Sequence, residues 1–210
     1  MLRIILIVLG VLVLSVIIFG AIMFSALNGG KASIRMPEGT FGKKGKKILL
    51  AYASKAGATG EASMIIGKAI AEQGAIVDVR PICAAADISD YDAFVIGTAV
   101  RAGKPLGDFT AFITKNKRIL NEKPLAIFLT CMTLSKDTPE TRKEVEKYFE
   151  TTRSLISPKA EGYFAGRMDY SKLNAATKYI VKNMVKVPEG NFLDEKAMKE
   201  WAGEAAKKIK

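Results

Sequence analysis

Residues 47–63 read KILLAYASKAGATGEAS and join three kinds of local structure in direct succession. The first seven residues, 47–53, form a short apolar run that is typical of a buried strand. Residues 54–58 are small or polar and include a glycine, which indicates a tight turn. From residue 59 to residue 73 the apolar side chains recur at helical spacing, and Gly74 fits the end of a helix. This stretch therefore predicts a strand-loop-helix unit.

The rest of the chain repeats this alternation of strands and helices. Further strands are predicted at residues 75–80, 92–97, 125–130 and 160–165, and further helices at residues 106–114, 137–155, 171–185 and 194–208. Such alternation indicates a mostly parallel sheet with helices on both faces. Ligands of these folds bind beyond the carboxyl ends of the strands, where the strand order reverses. The loops after residues 53, 97 and 130 are therefore the candidate site.

The first thirty residues differ in composition from the rest. Residues 4–30 carry no charged side chain, and a helix over the apolar run 4–27 could cross a hydrocarbon core of roughly 30 Å. We therefore expect residues 1–28 to form a transmembrane anchor in contact with membrane lipid. A cleaved signal peptide is the alternative, but the apolar region of a signal peptide is shorter, about 7–15 residues.

Residues 29–45 are rich in glycine and basic side chains, which predicts a linker before a domain at residues 46–210. Between residues 31 and 47, six Lys and Arg side chains accompany one acid, Glu38, whereas only Arg3 precedes the apolar run. The positive-inside rule then predicts a single-pass membrane protein with its C-terminal domain in the cytoplasm. The basic cluster also explains much of the net charge of +11, and since no nucleic-acid motif accompanies it, we expect no nucleic-acid partner.

The chain contains two cysteines and no histidine. Cys83 and Cys131 lack CxxC spacing in a domain large enough to form a core, so we expect two buried thiols rather than a disulfide. The absence of histidine excludes a Cys/His metal cluster, the usual haem ligand and the commonest general base. The lack of histidine therefore limits the metal-binding, haem-binding and acid-base chemistry that the chain can perform.

Residues 54–59, with the sequence SKAGAT, form a candidate anion-binding loop. Unpaired amides at a helix N-terminus, together with the helix dipole, attract a phosphate group. Ser54 and Thr59 would add hydroxyl groups, and Gly57 would let the backbone approach closely. An ordinary helix N-cap at Thr59 explains the same residues equally well. The chain lacks GxxxxGK[ST], GxGxxG and an acidic pair after the first strand, which leaves a mononucleotide site.

Residues 52–63 resemble the phosphate-loop signature of flavodoxins. Residues 91–103, YDAFVIGTAVRAG, are similar to the flavodoxin branch that contains the menaquinone-dependent protoporphyrinogen dehydrogenases, as are residues 162–166 and 189–202. The resemblance extends over residues 46–205. It implies a flavodoxin-like three-layer α/β sandwich, with a five-stranded parallel sheet in the order 2-1-3-4-5, and an FMN cofactor.

The resemblance also implies which residues hold FMN. The phosphate would lie on Ser54, Lys55, Ala56, Gly57, Ala58 and Thr59, and the ring would lie between Thr98, Ala99, Val100, Arg101, Ala102 and Gly103 on one side and Thr130, Cys131 and Met132 on the other. No side chain is assigned as catalytic, because the flavin performs the redox step. Ala102 stands where related dehydrogenases often carry tyrosine. Arg101 could contact an anionic ligand or pair with an acid such as Asp108, and the sequence does not decide between these two roles. Cys131 is interpreted as a buried small residue rather than a redox thiol.

Three functions fit these residues. The resemblance favours a membrane-held, FMN-dependent oxidoreductase of the protoporphyrinogen dehydrogenase type, with an anionic porphyrinogen substrate and a quinone or other membrane acceptor. The second is an electron-transfer flavodoxin tethered beside a membrane redox partner, without a substrate of its own. The third is a flavin-free binding module that uses the 54–59 loop as a structural turn.

Overall fold

The computed structural model describes Gly20 and residues 36–210. The predicted anchor, residues 1–28, and the first part of the predicted linker lie outside the described residues, apart from Gly20. In the part of the chain that is described, no helix combines the length and the apolar character needed to cross a membrane. The described chain divides into two units, one containing Asp169–Glu189 and the other containing residues 36–168 and Gly190–Lys210.

A mostly parallel sheet forms the centre of the larger unit. Its strands are β1 Gly39–Phe41, β2 Lys47–Ala53, β3 Ile76–Pro81, β4 Ala93–Arg101, β5 Lys104–Pro105, β6 Leu125–Cys131 and β7 Ala160–Ala165, and a separate antiparallel pair consists of β8 Arg167–Met168 and β9 Gly190–Asn191. Five strands pair in parallel in the order β3-β2-β4-β6-β7, which is the predicted order 2-1-3-4-5. Two antiparallel strands extend this sheet, β1 beside β3 and β5 beside β4. The predicted five-stranded sheet was therefore incomplete.

Strand β1 lies inside the segment that the sequence predicts as a linker. Phe41 packs on the apolar core, and the Thr40 hydroxyl donates a hydrogen bond of 2.6 Å to the Asp78 carboxylate on β3. Gly42 and Gly45 have φ angles of 82° and 101° and turn the chain from β1 into β2. The linker prediction was wrong for residues 39–41, because the glycines and the proline around them flank a short strand.

Helices cover both faces of the sheet. The helices of the larger unit are α1 Ala58–Glu72, α2 Gly107–Lys115, α3 Lys117–Glu122, α4 Pro139–Lys147, α5 Glu150–Arg153 and α7 Glu195–Ile209, and α6 Ala175–Tyr179 belongs to the smaller unit. Alternate side chains of each central strand face opposite layers. Leu50 of β2 belongs to the core with α1 and α7, whereas Leu49 belongs to the core with α2, α3 and α4. This double burial explains why the central strands have nearly continuous apolar sequences.

The helix predicted at residues 137–155 is divided in two. Thr138 caps α4 by accepting a hydrogen bond from the Thr141 amide, as the sequence indicates. At the other end, the Tyr148 amide donates to the Val145 carbonyl at 3.0 Å, and this tighter turn ends α4. Phe149 is thereby placed in the core against Phe109, with ring centroids 6.1 Å apart. Core packing thus divides a segment that helical periodicity alone joins.

The smaller unit contains a helix that begins later than predicted. Within Asp169–Glu189, a 3₁₀ turn at Tyr170–Lys172 precedes α6, which continues as a π-helix over Ile180–Val185. The Tyr170 hydroxyl donates to the Val187 carbonyl at 2.5 Å, and the Tyr170 amide donates to a Glu189 carboxylate oxygen at 3.0 Å. These two bonds hold the ends of the segment together.

Gly97 of β4 lies directly against the ring of Phe128, which is fully buried. A Cβ atom at position 97 would lie 2.2 Å from Cζ of that ring. We expect Gly97→Ala to lower the free energy of unfolding by about 1–3 kcal/mol, because the ring must move within a close-packed core. Urea unfolding followed by tryptophan fluorescence measures the change.

Gly203→Ala is the matched control. Gly203 lies in helix α7, and apart from the backbone of its own helix and its two chain neighbours, no atom lies within 4 Å of an added Cβ. The free energy of unfolding of this variant should rise by up to about 1 kcal/mol, because alanine is more favourable than glycine in a helix interior. Similar effects of the two substitutions would contradict the packing that we describe at Gly97.

Candidate functional site

The three loops of the predicted site leave the same edge of the sheet. Strand β4 pairs with β2 on one side and β6 on the other, with Ala53 opposite Thr98 and Ala99 opposite Thr130. Because all three strands are parallel, their carboxyl ends are neighbours. The structure therefore brings together the three predicted groups of site residues, 54–59, 98–103 and 130–132.

The loop after β2 ends in a helix N-terminus with amides available to an anion. Ser54 is buried, and its Oγ accepts a hydrogen bond of 3.0 Å from the Gly57 amide. Gly57 precedes α1 in the left-handed conformation, with φ of 89°. The first intrahelical bond runs from the Glu61 amide to the Gly57 carbonyl at 3.0 Å. The amides of residues 58–60 precede that bond and suit a phosphate group.

Thr59 does not cap the helix, so the N-cap interpretation of this residue was wrong. Gly57 occupies the N-cap position, and Thr59 lies within the first turn of α1. The Thr59 hydroxyl is 2.8 Å from the Thr130 hydroxyl, and these residues are only 1% and 3% exposed. This bond joins the first loop of the site to the end of β6. The sequence predicts both residues in the site but not their contact, because they are 71 positions apart.

Two ion pairs determine the charge around the loop. Lys55 Nζ lies 3.1 Å from a carboxylate oxygen of Asp108 at the start of α2. Glu61, in the first turn of α1, accepts a hydrogen bond of 2.6 Å from the Arg167 guanidinium. Arg167 thus compensates an acidic charge that would otherwise oppose an anion at this helix end. The sequence analysis missed Arg167, which is 106 positions from Glu61.

The loop predicted at residues 98–103 is largely a β-hairpin. Strand β4 continues through Ala99 and Val100 to Arg101, which pairs with Lys104 of β5. The turn consists of Ala102 and Gly103, with φ angles of 48° and 73°. Two consecutive positive φ angles are the geometry of tight two-residue hairpins.

The base of this hairpin is fixed by a buried hydroxyl group. The Thr98 Oγ1 accepts a hydrogen bond of 3.2 Å from the Leu106 amide and donates one of 2.9 Å to the Ala99 carbonyl. Thr98 is fully buried, and its hydroxyl links the end region of β4 to Leu106, the residue directly after β5. Burial lowers the pKa of the Arg101 guanidinium at the far end of β4.

Ala102 occupies a backbone conformation that favours glycine. We expect Ala102→Gly to raise the free energy of unfolding by about 0.5–1 kcal/mol, because its φ of 48° is strained for alanine. Urea unfolding checks this prediction. Ala99→Gly is the comparison within the same hairpin and should lower stability, since Ala99 of β4 is paired with Thr130 of β6. A loss of stability in Ala102→Gly would contradict the positive φ.

The third loop follows β6. Cys131 is buried, and burial raises the pKa of its thiol, which agrees with a packing role. Met132 is partly buried and precedes a 3₁₀ turn over Thr133–Ser135, in which the Ser135 amide donates to the Met132 carbonyl at 3.0 Å. Both cysteines are free thiols, as predicted. Cys83, however, is exposed in the turn after β3, so the prediction of burial was wrong there.

An aromatic side chain from α4's end lies beside two of the loops. The Tyr148 hydroxyl is 3.1 Å from the Thr133 Oγ1 and donates to a Glu144 carboxylate oxygen at 2.6 Å. A Cβ atom at Gly103 would lie 3.5 Å from the Tyr148 ring. Burial and the hydrogen bond to Glu144 raise the pKa of Tyr148 to about 12. The Tyr148 ring thus lies close to the turn of the hairpin at Gly103.

Comparison with known proteins agrees with this arrangement. Residues 49–194 match the flavodoxin domain family. Protoporphyrinogen IX dehydrogenase [quinone] of Escherichia coli strain K12 is 25% identical over 149 residues, which cover 69% of this chain and 81% of that protein. The protein of the same name from Leishmania major is 27% identical over 106 residues. That match covers 49% of this chain and 45% of the Leishmania protein, so the chain spans less than half of its length.

The solved structures that are similar to this chain include flavodoxins. Oxidised flavodoxin 1 from Bacillus cereus is 19% identical, with a TM-score of 0.49, and the match covers 78% of this chain and 99% of that structure. The family match at residues 49–194 covers more than half of the present chain. The donors at the start of α1, a set of backbone amides behind a left-handed glycine, fit the phosphate of a mononucleotide. The chain belongs to the flavodoxin domain family, an FMN-binding oxidoreductase family.

Proposed function

We propose that this chain is a membrane-held, FMN-dependent oxidoreductase. Residues 54–59 hold the FMN phosphate, and the ring lies between the hairpin at residues 98–103 and the loop at residues 130–132. The observation that carries the proposal is the strand register, which places the α1 N-terminus, the hairpin and the third loop side by side. A helix N-terminus next to two loops of small and apolar residues suits a ligand with a phosphate at one end and a ring at the other.

The residues of this site bind and orient rather than transfer protons. Bound FMN supplies the hydride and electron chemistry. Gly57 begins α1 in the left-handed conformation, and the amides of residues 58–60 that follow it would hold the phosphate. The Thr59–Thr130 hydrogen bond fixes the first loop to the end of β6 and would keep these amides in place beside the third loop. Because the chain contains no histidine, a mechanism without a protein general base fits its composition.

The proposed substrate is an anionic porphyrinogen, and the proposed acceptor is a quinone. Two relatives bear the name protoporphyrinogen IX dehydrogenase [quinone], which motivates both. Arg101 and Lys104 face each other across the hairpin and place two cationic side chains at the edge of the site. Such a pair suits the carboxylates of a porphyrinogen. The uncharged run at residues 4–30 and the basic residues after it support an anchor with the domain in the cytoplasm.

A substrate assay distinguishes this enzyme from an electron carrier. The full chain, loaded with FMN, is mixed with protoporphyrinogen and a quinone, and porphyrin fluorescence is followed under anaerobic conditions. We expect porphyrin to form only when both FMN and quinone are present. A loaded chain that exchanges electrons with a flavin reductase but does not oxidise porphyrinogen would instead be the tethered electron-transfer flavodoxin.

A further inference from the structure

The segment Asp169–Glu189 exposes large apolar side chains. Tyr179, Met184 and Val185 are 64%, 60% and 62% exposed, and they lie on α6 and its π-helical continuation. Thr177 and Ile180 of the same helices are buried. The segment therefore buries Thr177 and Ile180 and exposes an aromatic ring, a thioether and a branched aliphatic group to solvent. Exposed groups of this size mark a contact surface when they occur together.

Lysines alternate with these apolar groups. Lys178, Lys182 and Lys186 are all exposed, and residues 170–188 contain four lysines and no carboxylate. Among the described residues, no carboxylate forms an ion pair with any of the three. The surface is therefore both apolar and cationic, and its charge is not neutralised locally.

The backbone gives this surface a defined shape. Residues 182–186 are consecutive and all exposed, and they comprise the end of the π-helix and its C-cap, Lys186. Lys186 ends the helix with φ of 55°, and its amide donates to the Val181 carbonyl. The Val187 amide donates to that same carbonyl at 3.0 Å, and the Val187 carbonyl accepts the Tyr170 hydroxyl. The apolar and basic groups thus lie on a hydrogen-bonded turn.

We propose that Tyr179, Met184 and Val185, with Lys178, Lys182 and Lys186, form a lipid-docking surface that rests on an anionic bilayer. Lysines meet lipid phosphates, while a tyrosine and short aliphatic groups enter the boundary between headgroups and acyl chains. A second copy of the chain is a poorer partner, because a symmetric contact would place these lysines against each other. This inference rests on the proposed membrane anchoring of the chain and does not depend on which substrate the enzyme oxidises.

A polarity-sensitive dye tests the contact in the full chain. In a Cys83→Ser background, Met184→Cys carries the dye, and Lys208→Cys on the exposed side of α7 is the control position. The labelled chains are reconstituted into vesicles of phosphatidylcholine, with or without phosphatidylglycerol. We expect phosphatidylglycerol to shift the emission at position 184 to the blue and to allow quenching by a lipid-borne quencher, with no change at position 208.

Charge substitutions test the role of the lysines. The triple variant Lys178→Gln, Lys182→Gln, Lys186→Gln should lower the ratio of docked to undocked segment by on the order of a hundredfold. The matched control replaces three exposed lysines of the larger unit by glutamine, Lys68, Lys117 and Lys143, and should behave as the unmodified chain.

Two results would overturn the proposal. One is a dye at position 184 that stays solvent-exposed with phosphatidylglycerol. The other is a blue shift that depends on neither phosphatidylglycerol nor the three lysines, which would show that another part of the protein covers the surface. Flavin absorbance of the same samples reports FMN binding, and flotation with phosphatidylcholine vesicles reports the anchor. Loss of FMN binding, or loss of the membrane anchor, is therefore distinguished from failure of the segment Asp169–Glu189 to dock.

Discussion

Gly57→Ala should lower the affinity for FMN by on the order of tenfold or more, because alanine in the left-handed region costs about 1–2 kcal/mol. Gly57 has φ of 89° immediately before α1. The loop can relieve this strain by rotating away from its present shape, which would turn the amides of residues 58–60 from the phosphate. Titration of flavin-free protein with FMN, followed by quenching of flavin fluorescence, measures the affinity.

Gly74→Ala is the matched control at the other end of the same helix. Gly74 has φ of 84°, and its added Cβ would meet only the Lys210 amine, at 3.7 Å. Both variants should therefore lose similar stability in urea, whereas only Gly57→Ala should lose FMN affinity. Equal FMN affinities in the two variants would contradict a role for the backbone of residues 54–59 in holding phosphate.

Thr59→Val should lower the free energy of unfolding by about 1–3 kcal/mol, because it leaves the buried Thr130 hydroxyl without its partner. The two hydroxyls are 2.8 Å apart. Thr130→Val should have a similar effect on stability for the same reason. If the Thr59 hydroxyl also contacts the phosphate, Thr59→Val will weaken FMN binding more than Thr130→Val does.

The double variant separates this bond from general packing. With both hydroxyls replaced by methyl groups, no hydroxyl remains that lacks a hydrogen-bond partner. The loss of stability should therefore be smaller than the sum of the two single losses. Urea unfolding of the four proteins gives the coupling free energy. Strictly additive losses would show that the Thr59–Thr130 hydrogen bond does not stabilise the site.

The sequence was sufficient for the parallel core of the fold. Continuous apolar runs such as residues 47–53 and 125–130 indicated strands buried on both faces, and they became β2 and β6. The helix at residues 194–208 was also predicted almost to its ends, because Asp194 is a good N-cap and its carboxylate accepts the Ala197 amide. These elements follow from local patterns, which is why they could be read without the structure.

Edge strands and long-range contacts could not be predicted in this way. Strand β1 has only three residues, begins at Gly39 and is followed directly by Gly42, and it forms because β3 offers a free edge. Strand β5 has two residues and forms through the turn at Ala102. In both cases the partner strand, rather than the local sequence, determines the structure.

In the candidate site, too, residues that are adjacent in the sequence were predicted, whereas residues from distant parts of the chain were missed. The 54–59 loop was predicted as a phosphate site from adjacent residues. Arg167, which pairs with Glu61, and Tyr148, which lies beside Gly103, were not, because each reaches the site from a distant part of the chain. No periodicity or motif marks such contacts, which are fixed only when the sheet brings the loops together.

Uptake of FMN by the full chain tests the central claim most directly. The chain is purified in detergent, stripped of bound flavin and titrated with FMN while the visible absorbance of bound oxidised flavin is recorded. We predict saturable binding of one FMN per chain, weakened by Gly57→Ala and unchanged by Gly74→Ala. A folded chain that remains colourless and takes up no added FMN would contradict the account.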